Sequence, residues 1–423
     1  TIICTAIVVL CCIHVCSGSS SIWNQVSTAI DAYSALPNCY TVIADSTGIR
    51  YQHAKGNATW TTLYPVASAS KWICSLTTFK LMEAGYFNLS TRPQDFISWW
   101  TKNTSDARTQ MTVSQLLSFT SGFGDDNVCV GNSSYTLEQC AMKIYNESFQ
   151  YTPGNVYYYS GNHMTVLGYL ATQVMNTDWN SIFNTWVVQP LGISAPYCKY
   201  YPLANPNPAG GLTTTTQYYY SLLQALYSES FLPSNWTKLM EEDQTTTATL
   251  LYSPATLWGE GWHYCRGNWF ECNSTTWNNA TCSAMNIHSS PGKFGYYPWI
   301  DRPNDYFGII ATRDANGYTS VQLGDQIKPL ILQALAEDRA ASPSPSSAAS
   351  SPSRTPSPSP STGASTSPTS SPAASKTPTP SAGSSGSSQS PIPSSSTGPD
   401  NDSAGVELSA SVMAIVILIA SVW

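Results

Sequence analysis

Charge is what this chain has least of. Only 10 % of its 423 residues are Asp, Glu, Lys or Arg, the net charge is −7, and Lys and Arg nowhere gather into a run. Without such runs a protein cannot neutralise a phosphate backbone, so nucleic acid is not an expected partner. Histidine is as scarce, five in all. H-E-x-x-H is absent, and the cysteines lack the paired C-x-x-C spacing of a zinc site. No metal or other cofactor is therefore expected. The folded region also lacks G-x-S-x-G, which removes the nucleophile elbow of one large class of Ser-His-Asp hydrolases.

Aromatic residues are abundant by contrast, with 14 Trp and 25 Tyr. A chain so supplied can bury a core large enough to offset its ordering entropy. That core is expected over about Ile22 to Glu337. Residues 1–19 carry an apolar run (Ile2, Ile3, Ala6 to Leu10, Ile13) followed by Cys16, Ser17, Gly18 and Ser19. This is the pattern of a secretory signal peptide; because Thr stands first and no basic residues precede the run, a few leading residues are expected to be missing. A buried N-terminal helix is the alternative. Cys4, Cys11, Cys12 and Cys16 fall in that segment. The remaining Cys39, Cys74, Cys129, Cys140, Cys198, Cys265, Cys272 and Cys282 are even in number, so disulfides are expected in an oxidising compartment. Cys129 with Cys140 reads as a loop staple, as does some pairing among Cys265, Cys272 and Cys282. N-x-[ST] sequons at Asn57, Asn88, Asn103, Asn132, Asn146, Asn235, Asn273, Asn279 and Asn401 predict N-linked glycans.

From residue 340 to about 400 the composition collapses to Ser, Pro, Thr, Ala and Gly. Such a stretch cannot bury enough apolar area to fold and reads as an extended, O-glycosylated stalk, or else a plain linker. Residues 401–423 then run from small residues (Asn401, Asp402, Ser403) through a spacer to the apolar Val412 to Trp423. That is the order of a GPI-anchor signal, and the apolar run is short for a bilayer span of about 20 residues. A tail-anchored helix is the competing reading. Domain boundaries are thus expected at 1–19, 20–339, 340–400 and 401–423, with the product at the extracellular face of the plasma membrane on a lipid anchor.

Within the globular part, Thr41 to Ala44 and Ile49 to His53 flank a turn and predict a hairpin. Lys71 to Ala84 closes on Gly85 and predicts a buried helix. Val113 to Phe119, Thr165 to Met175, Gln217 to Tyr227 and Val321 to Leu335 read as helices, and Phe307 to Thr312 as a central strand. Strands at both ends with helices between predict an α/β (α+β) fold, an antiparallel sheet flanked by helices.

Three segments carry chemistry. Ser68-Ala69-Ser70-Lys71 is an S-x-x-K at a helix start, where residues three apart share a face and Lys71 can reach the Ser68 hydroxyl. Serine needs such a base, and lysine serves only if its pKa is depressed. Ser70 is a rival whose own third-following residue is Ile73. Tyr159-Ser160-Gly161 offers a phenol whose pKa a nearby ammonium would lower, letting it relay a proton; Tyr157 and Tyr158 are adjacent rivals. His288-Ser289-Ser290 precedes Pro291 and Gly292 and can supply a polar strand edge, with a backbone N–H for an oxyanion. Taken singly, each has a plain structural reading: a helix cap, a core aromatic, a packed histidine.

In order and context, the three segments resemble the serine β-lactamase-related and penicillin-binding-protein-like family, nearest its class C, D-aminopeptidase and esterase branch. The resemblance runs from about Thr41 to Ala334 and includes MTVSQLLSFTSGF (Met111 to Phe123), YTPGNVYYYSGNHMTVLGYLA (Tyr151 to Ala171) and PAGGLTTT (Pro208 to Thr215). It implies a β-lactamase/transpeptidase-like fold with a helical subdomain between Ser68 and roughly Pro208, and a site at its junction with the sheet. Ser68, Lys71 and Tyr159 would be catalytic. His288, Ser289, Ser290, Gly161 and Asn162 would bind substrate or oxyanion, with backbone N–H groups of Ser68 and of the strand near Ser290 holding the charge.

Two departures bear on function. Gly161 stands where the family usually has the Asn of Y-x-N, so an amide is missing unless Asn162 or His163 takes over. Ser290 stands where Gly is usual, and Pro291 after it has no N–H. The expectation is a surface serine hydrolase that forms an acyl-enzyme on Ser68 and acts on a small-molecule, ester or peptide substrate. The alternative is an inactive relative used for binding or adhesion.

Overall fold

The computed structural model describes residues 22–313 and 316–341. The expected signal peptide, the stalk beyond Ala341, the anchor signal and the Asn401 sequon lie outside the described residues. No helix among the described residues is long and apolar enough to cross a membrane.

The strands in chain order are β1 (Cys39–Asp45), β2 (Gly48–Lys55), β3 (Leu63–Pro65), β4 (Val156–Tyr158), β5 (Cys198–Tyr200), β6 (Leu212–Thr215), β7 (Thr249–Tyr252), β8 (His263–Tyr264), β9 (Trp269–Phe270), β10 (Ile287–Ser289), β11 (Tyr297–Asp301) and β12 (Tyr306–Ala311). The main sheet has the order β2-β1-β12-β11-β10-β9-β8, and its registered pairs are antiparallel. The predicted hairpin is there because Asp45 accepts the Thr47 N–H at 2.8 Å and Gly48 takes φ +123° in the tight turn. The first and last strands of the described residues pair within the sheet, where Val42 lies opposite Ile309.

Helix α1 (Ile22–Ala32) packs against the C-terminal helix Gly317–Ala341, while the helix Thr216–Tyr227 lies against β11 and β12. Successive residues of β12 face these two layers in turn. Phe307 meets Tyr220 and Tyr227 at centroid distances of 5.5 and 4.8 Å, and Gly308 lies beneath the Trp299 ring on the other side. A Cβ at Gly308 would come within 2.3 Å of that ring. Both faces being covered explains why Phe307 to Ala311 reads as a continuous apolar run rather than an alternating one. The remaining helices that matter here are α2 (Ser70–Glu83), α3 (Val113–Leu117), α4 (Leu137–Glu147) and α5 (Asn162–Met175).

The cysteine expectation is met in part. Cys129–Cys140 and Cys272–Cys282 are disulfides, matching the two loop staples, whereas Cys74, Cys198 and Cys265 are buried outside any disulfide. Parity misleads because a thiol is also a small apolar core residue. Burial pushes the Cys74 and Cys265 thiols up and that of Cys198 to about 12, so these three are inert.

Candidate active site

Ser68 sits in a 3-10 turn (Ala67–Ala69) that leads from β3 into α2. Ala67 is held at φ 47°, a left-handed conformation that a residue with a Cβ adopts only under constraint. The constraint comes from several directions. Val66 N–H donates to Leu212 O at 3.0 Å, Tyr219 Oη to Ala69 O at 2.9 Å, Tyr200 Oη to Ser70 O at 3.1 Å and Ser290 Oγ to Ser68 O at 2.9 Å. Gly292 packs so close that a Cβ there would come within 2.1 Å of Val66 O. Ser70 is fully buried and accepts the Leu212 N–H at 3.0 Å, which makes it a structural partner. Ser68 alone of the two serines is partly exposed.

One turn on, the Lys71 side chain is buried, and its Nζ donates to Ser68 Oγ at 3.1 Å and to Ala209 O at 2.7 Å. Burial lowers its pKa to about 8, against an upward pull from the Asp126 charge. Roughly a tenth of such a lysine is neutral at pH 7, which suits a general base.

Tyr159 follows β4, and its phenol interacts with the Ser68 side chain, which pulls its pKa down. Trp269 stacks on its ring at 5.4 Å and Phe119 meets it edge-on at 5.1 Å. The expected lowering of its pKa does not occur: burial raises it. Burial outweighs the Ser68 interaction that would lower it, and the Asp126 charge adds to the rise, although Lys71 Nζ lies 4.7 Å over the ring centroid. Tyr159 therefore stays a neutral phenol at neutral pH. Its rivals are engaged elsewhere, Tyr157 buried beside Tyr264 and Trp269, and Tyr158 donating to Asp125 Oδ1 at 2.5 Å.

At the Y-x-N departure, neither neighbour of Gly161 replaces the missing amide. Asn162 is fully buried; its Nδ2 donates to Asp125 O at 2.7 Å and its Oδ1 accepts the Asn127 N–H at 2.9 Å, so it clamps the 124–127 loop. His163 lies 2.7 Å from Ser121 Oγ through Nδ1 and 3.0 Å from Tyr158 O through Nε2, and burial lowers its pKa to about 3. It is a neutral core histidine. The room left at Gly161 is taken by Asp126, whose Oδ1 accepts the Gly161 N–H. Sequence reasoning missed Asp126, whose only signal was an acidic pair two residues after Phe123.

On the opposite wall, His288 is fully buried, with its ring nitrogens 2.9 and 3.0 Å from the side-chain amides of Asn268 and Asn286, and burial lowers its pKa. Ser289 is buried as well. Of this trio only Ser290 reaches the serine turn, through the Ser68 carbonyl. Its own N–H donates to Pro298 O at 3.3 Å, and Pro291 has none to give. The expected N–H from the strand is thus already used at Ser290 and absent at Pro291.

A family model described as Beta-lactamase matches residues 26–325. Among curated proteins, Protein flp of Staphylococcus aureus (strain N315) is 27% identical over 146 residues, 33% of this chain and 29% of that protein. The chain therefore spans under a third of the length of that curated relative. Among solved structures, one from Bacteroides dorei carrying the name beta-lactamase superposes with TM-score 0.63 at 22% identity, over 73% of this chain and 98% of that one. EstCE1, described as a hydrolase with promiscuous acyltransferase activity, gives 0.58 at 19% over 72% and 97%. A D-stereospecific amidohydrolase from Streptomyces sp. gives 0.53 at 16% over 73% and 98%. At these identities the structures speak for the fold. With the family match spanning most of the chain, and a sheet-and-helix architecture that meets at an S-x-x-K serine, the chain belongs to the Beta-lactamase family of serine hydrolases.

Proposed function

We propose that this protein is an acyl-transferring serine hydrolase with Ser68 as nucleophile, acting on an ester, amide or small peptide at the cell surface. The observation that carries the reading is the 3.1 Å contact between Ser68 Oγ and the desolvated Lys71 Nζ, with the Tyr159 ring 4.7 Å from the same ammonium. Neutral Lys71 takes the Ser68 proton as Oγ attacks the substrate carbonyl. Collapse of the tetrahedral adduct expels the alcohol or amine, which is reprotonated from Lys71 with Tyr159 as relay. Water then attacks the acyl-serine, its proton goes back through the same pair, and the acid leaves.

Oxyanion stabilisation is weak on the strand side, where Pro291 offers no N–H. One lost donor lowers turnover by about 10²–10³, which favours activated esters over amides. The same loss supports the second reading, a binding or adhesion domain with a disused serine.

Export belongs to the proposal too: the two disulfides suit an oxidising compartment, and seven of the sequon asparagines (57, 88, 103, 146, 235, 273 and 279) are exposed with Asn132 partly so. N- and O-linked glycans and a lipid anchor would then be its surface partners. The test is intact-mass analysis of the expressed domain after exposure to a fluorophosphonate and, separately, to a penicillin. A fluorophosphonate adduct on the parent that Ser68→Ala abolishes is expected. No adduct on folded protein would transfer the case to the binding reading.

A further inference from the structure

Resting on that hydrolase reading, we infer that Asp126 is a specificity residue, a carboxylate beside the reacting groups that selects substrates bearing a positive charge. The inference begins with what Gly161 lacks. A Cβ there would lie 2.9 Å from Val130 Cγ1, 3.4 Å from Ala209 Cβ and 3.3 Å from Asp126 Oδ1. Position 161 is thus walled in by the very residue whose carbonyl holds Lys71, and the remaining space belongs to the Asp126 carboxylate. A neutral, donating amide has been exchanged for an anionic acceptor supplied from another loop.

The carboxylate is held in place, since the Gly161 N–H donates to its Oδ1. The residue as a whole is exposed, while burial around the carboxyl raises its pKa against the opposing pull of the Gly161 N–H and the Lys71 charge. It is close enough to the site that its charge acts on Lys71, Tyr159 and Tyr252. Tyr252 and Tyr158 pack with centroids 5.3 Å apart, and aromatic faces beside a carboxylate suit a quaternary or primary ammonium. On the opposite wall His288 does not answer a substrate carboxylate, because it is fully buried with its ring nitrogens turned to the Oδ1 atoms of Asn268 and Asn286, and burial lowers its pKa. An anionic substrate, a penicillin included, would meet Asp126 without compensation.

Asp126 also has a structural duty, because α5 begins at Gly161 with no side-chain cap of its own. Asp126→Asn separates the two roles, keeping an acceptor for the Gly161 N–H and removing the charge. The probes are p-nitrophenyl esters of three similarly shaped acids: trimethylammoniobutyrate, its neutral tert-butyl isostere, and glutarate as the monoester. Parent protein is expected to favour the cationic over the neutral ester in kcat/KM by about tenfold, the ratio equivalent to about 1.4 kcal/mol, and to disfavour the anionic one. Asp126→Asn is expected to level the series. Calorimetric binding of phenyltrimethylammonium against benzoate reads the same preference without catalysis. If fluorophosphonate labelling fails while that binding preference appears and is lost in Asp126→Asn, the hydrolase reading falls and the charge assignment stands. Equal use of the three esters by an active parent, or a preference that survives Asp126→Asn, leaves Asp126 as a helix cap only and overturns the inference.

Discussion

At the scale of the residue, the site turns on how burial divides protons between Lys71 and Tyr159. Burial disfavours whichever form is charged, so it lowers the lysine and raises the phenol. Lys71 is therefore the group that changes state near neutrality. Acylation, which needs the neutral amine, should rise as pH climbs through about 8 and reach its plateau above it. The Asp126 charge holds the lysine up, so Asp126→Asn should move that limb to lower pH; single-turnover acylation by an uncharged ester across pH 6–10 measures both. A limb that stays put in Asp126→Asn would disconnect the two residues. Lys71→Met should lose acylation by a factor of order 10² or more, the range of general-base contributions. S-x-x-K was legible in the sequence because it is local: one helical turn fixes the distance. Asp126 was not, because its meaning depends on a contact with Gly161 across 35 residues of chain that no spacing rule encodes.

At the scale of the element, the same loop raises the question of what keeps Asp126 in place. Residues 124–127 form no regular element, yet Asn162 grips Asp125 and Asn127, and Cys129 is tied to Cys140 in α4. Closing an 11-residue separation restricts the unfolded chain by about 3 kcal/mol on the loop-entropy argument. Cys129→Ser with Cys140→Ser should thus lower the urea midpoint, with an m-value that rises as the unfolded chain expands. An unchanged midpoint would mean the staple adds nothing to the packing of α4. Long helices were readable from their apolar spacing and closing glycine, as Ser70–Glu83 illustrates, and the strand Tyr306–Ala311 from its continuous apolar run. Strands β8 and β9 were not: two residues each, His263–Tyr264 and Trp269–Phe270, carry no alternation to read, although Trp269 supplies a wall of the site. Disulfide counting found both local staples but overcounted at Cys74, Cys198 and Cys265, since a buried thiol and a paired one have the same letter.

At the scale of the whole molecule, sparse charge and dense sequons belong to one argument. A chain with 10 % charged residues has little ionic surface to keep it dispersed, and hydration must come from elsewhere. Glycans on Asn57, Asn88, Asn103, Asn146, Asn235, Asn273 and Asn279 would supply it, each at an exposed position, several of them in loops. The distribution is also compatible with chemistry, because none of these asparagines contacts Ser68, Lys71 or Tyr159 in the hydrogen bonds and ring contacts of the site. Protein secreted from a eukaryotic host should therefore lose mass on treatment with peptide N-glycosidase, while its fluorophosphonate labelling on Ser68 remains. Deglycosylated protein should self-associate at lower concentration than the glycosylated form in analytical ultracentrifugation. If the secreted chain carries no removable glycan, or loses its serine labelling when stripped, the sequons are not the surface coat that the weak charge calls for. Apolar side chains that are more than half exposed, Val128, Leu251 and Leu257 among them, would then need a protein partner instead.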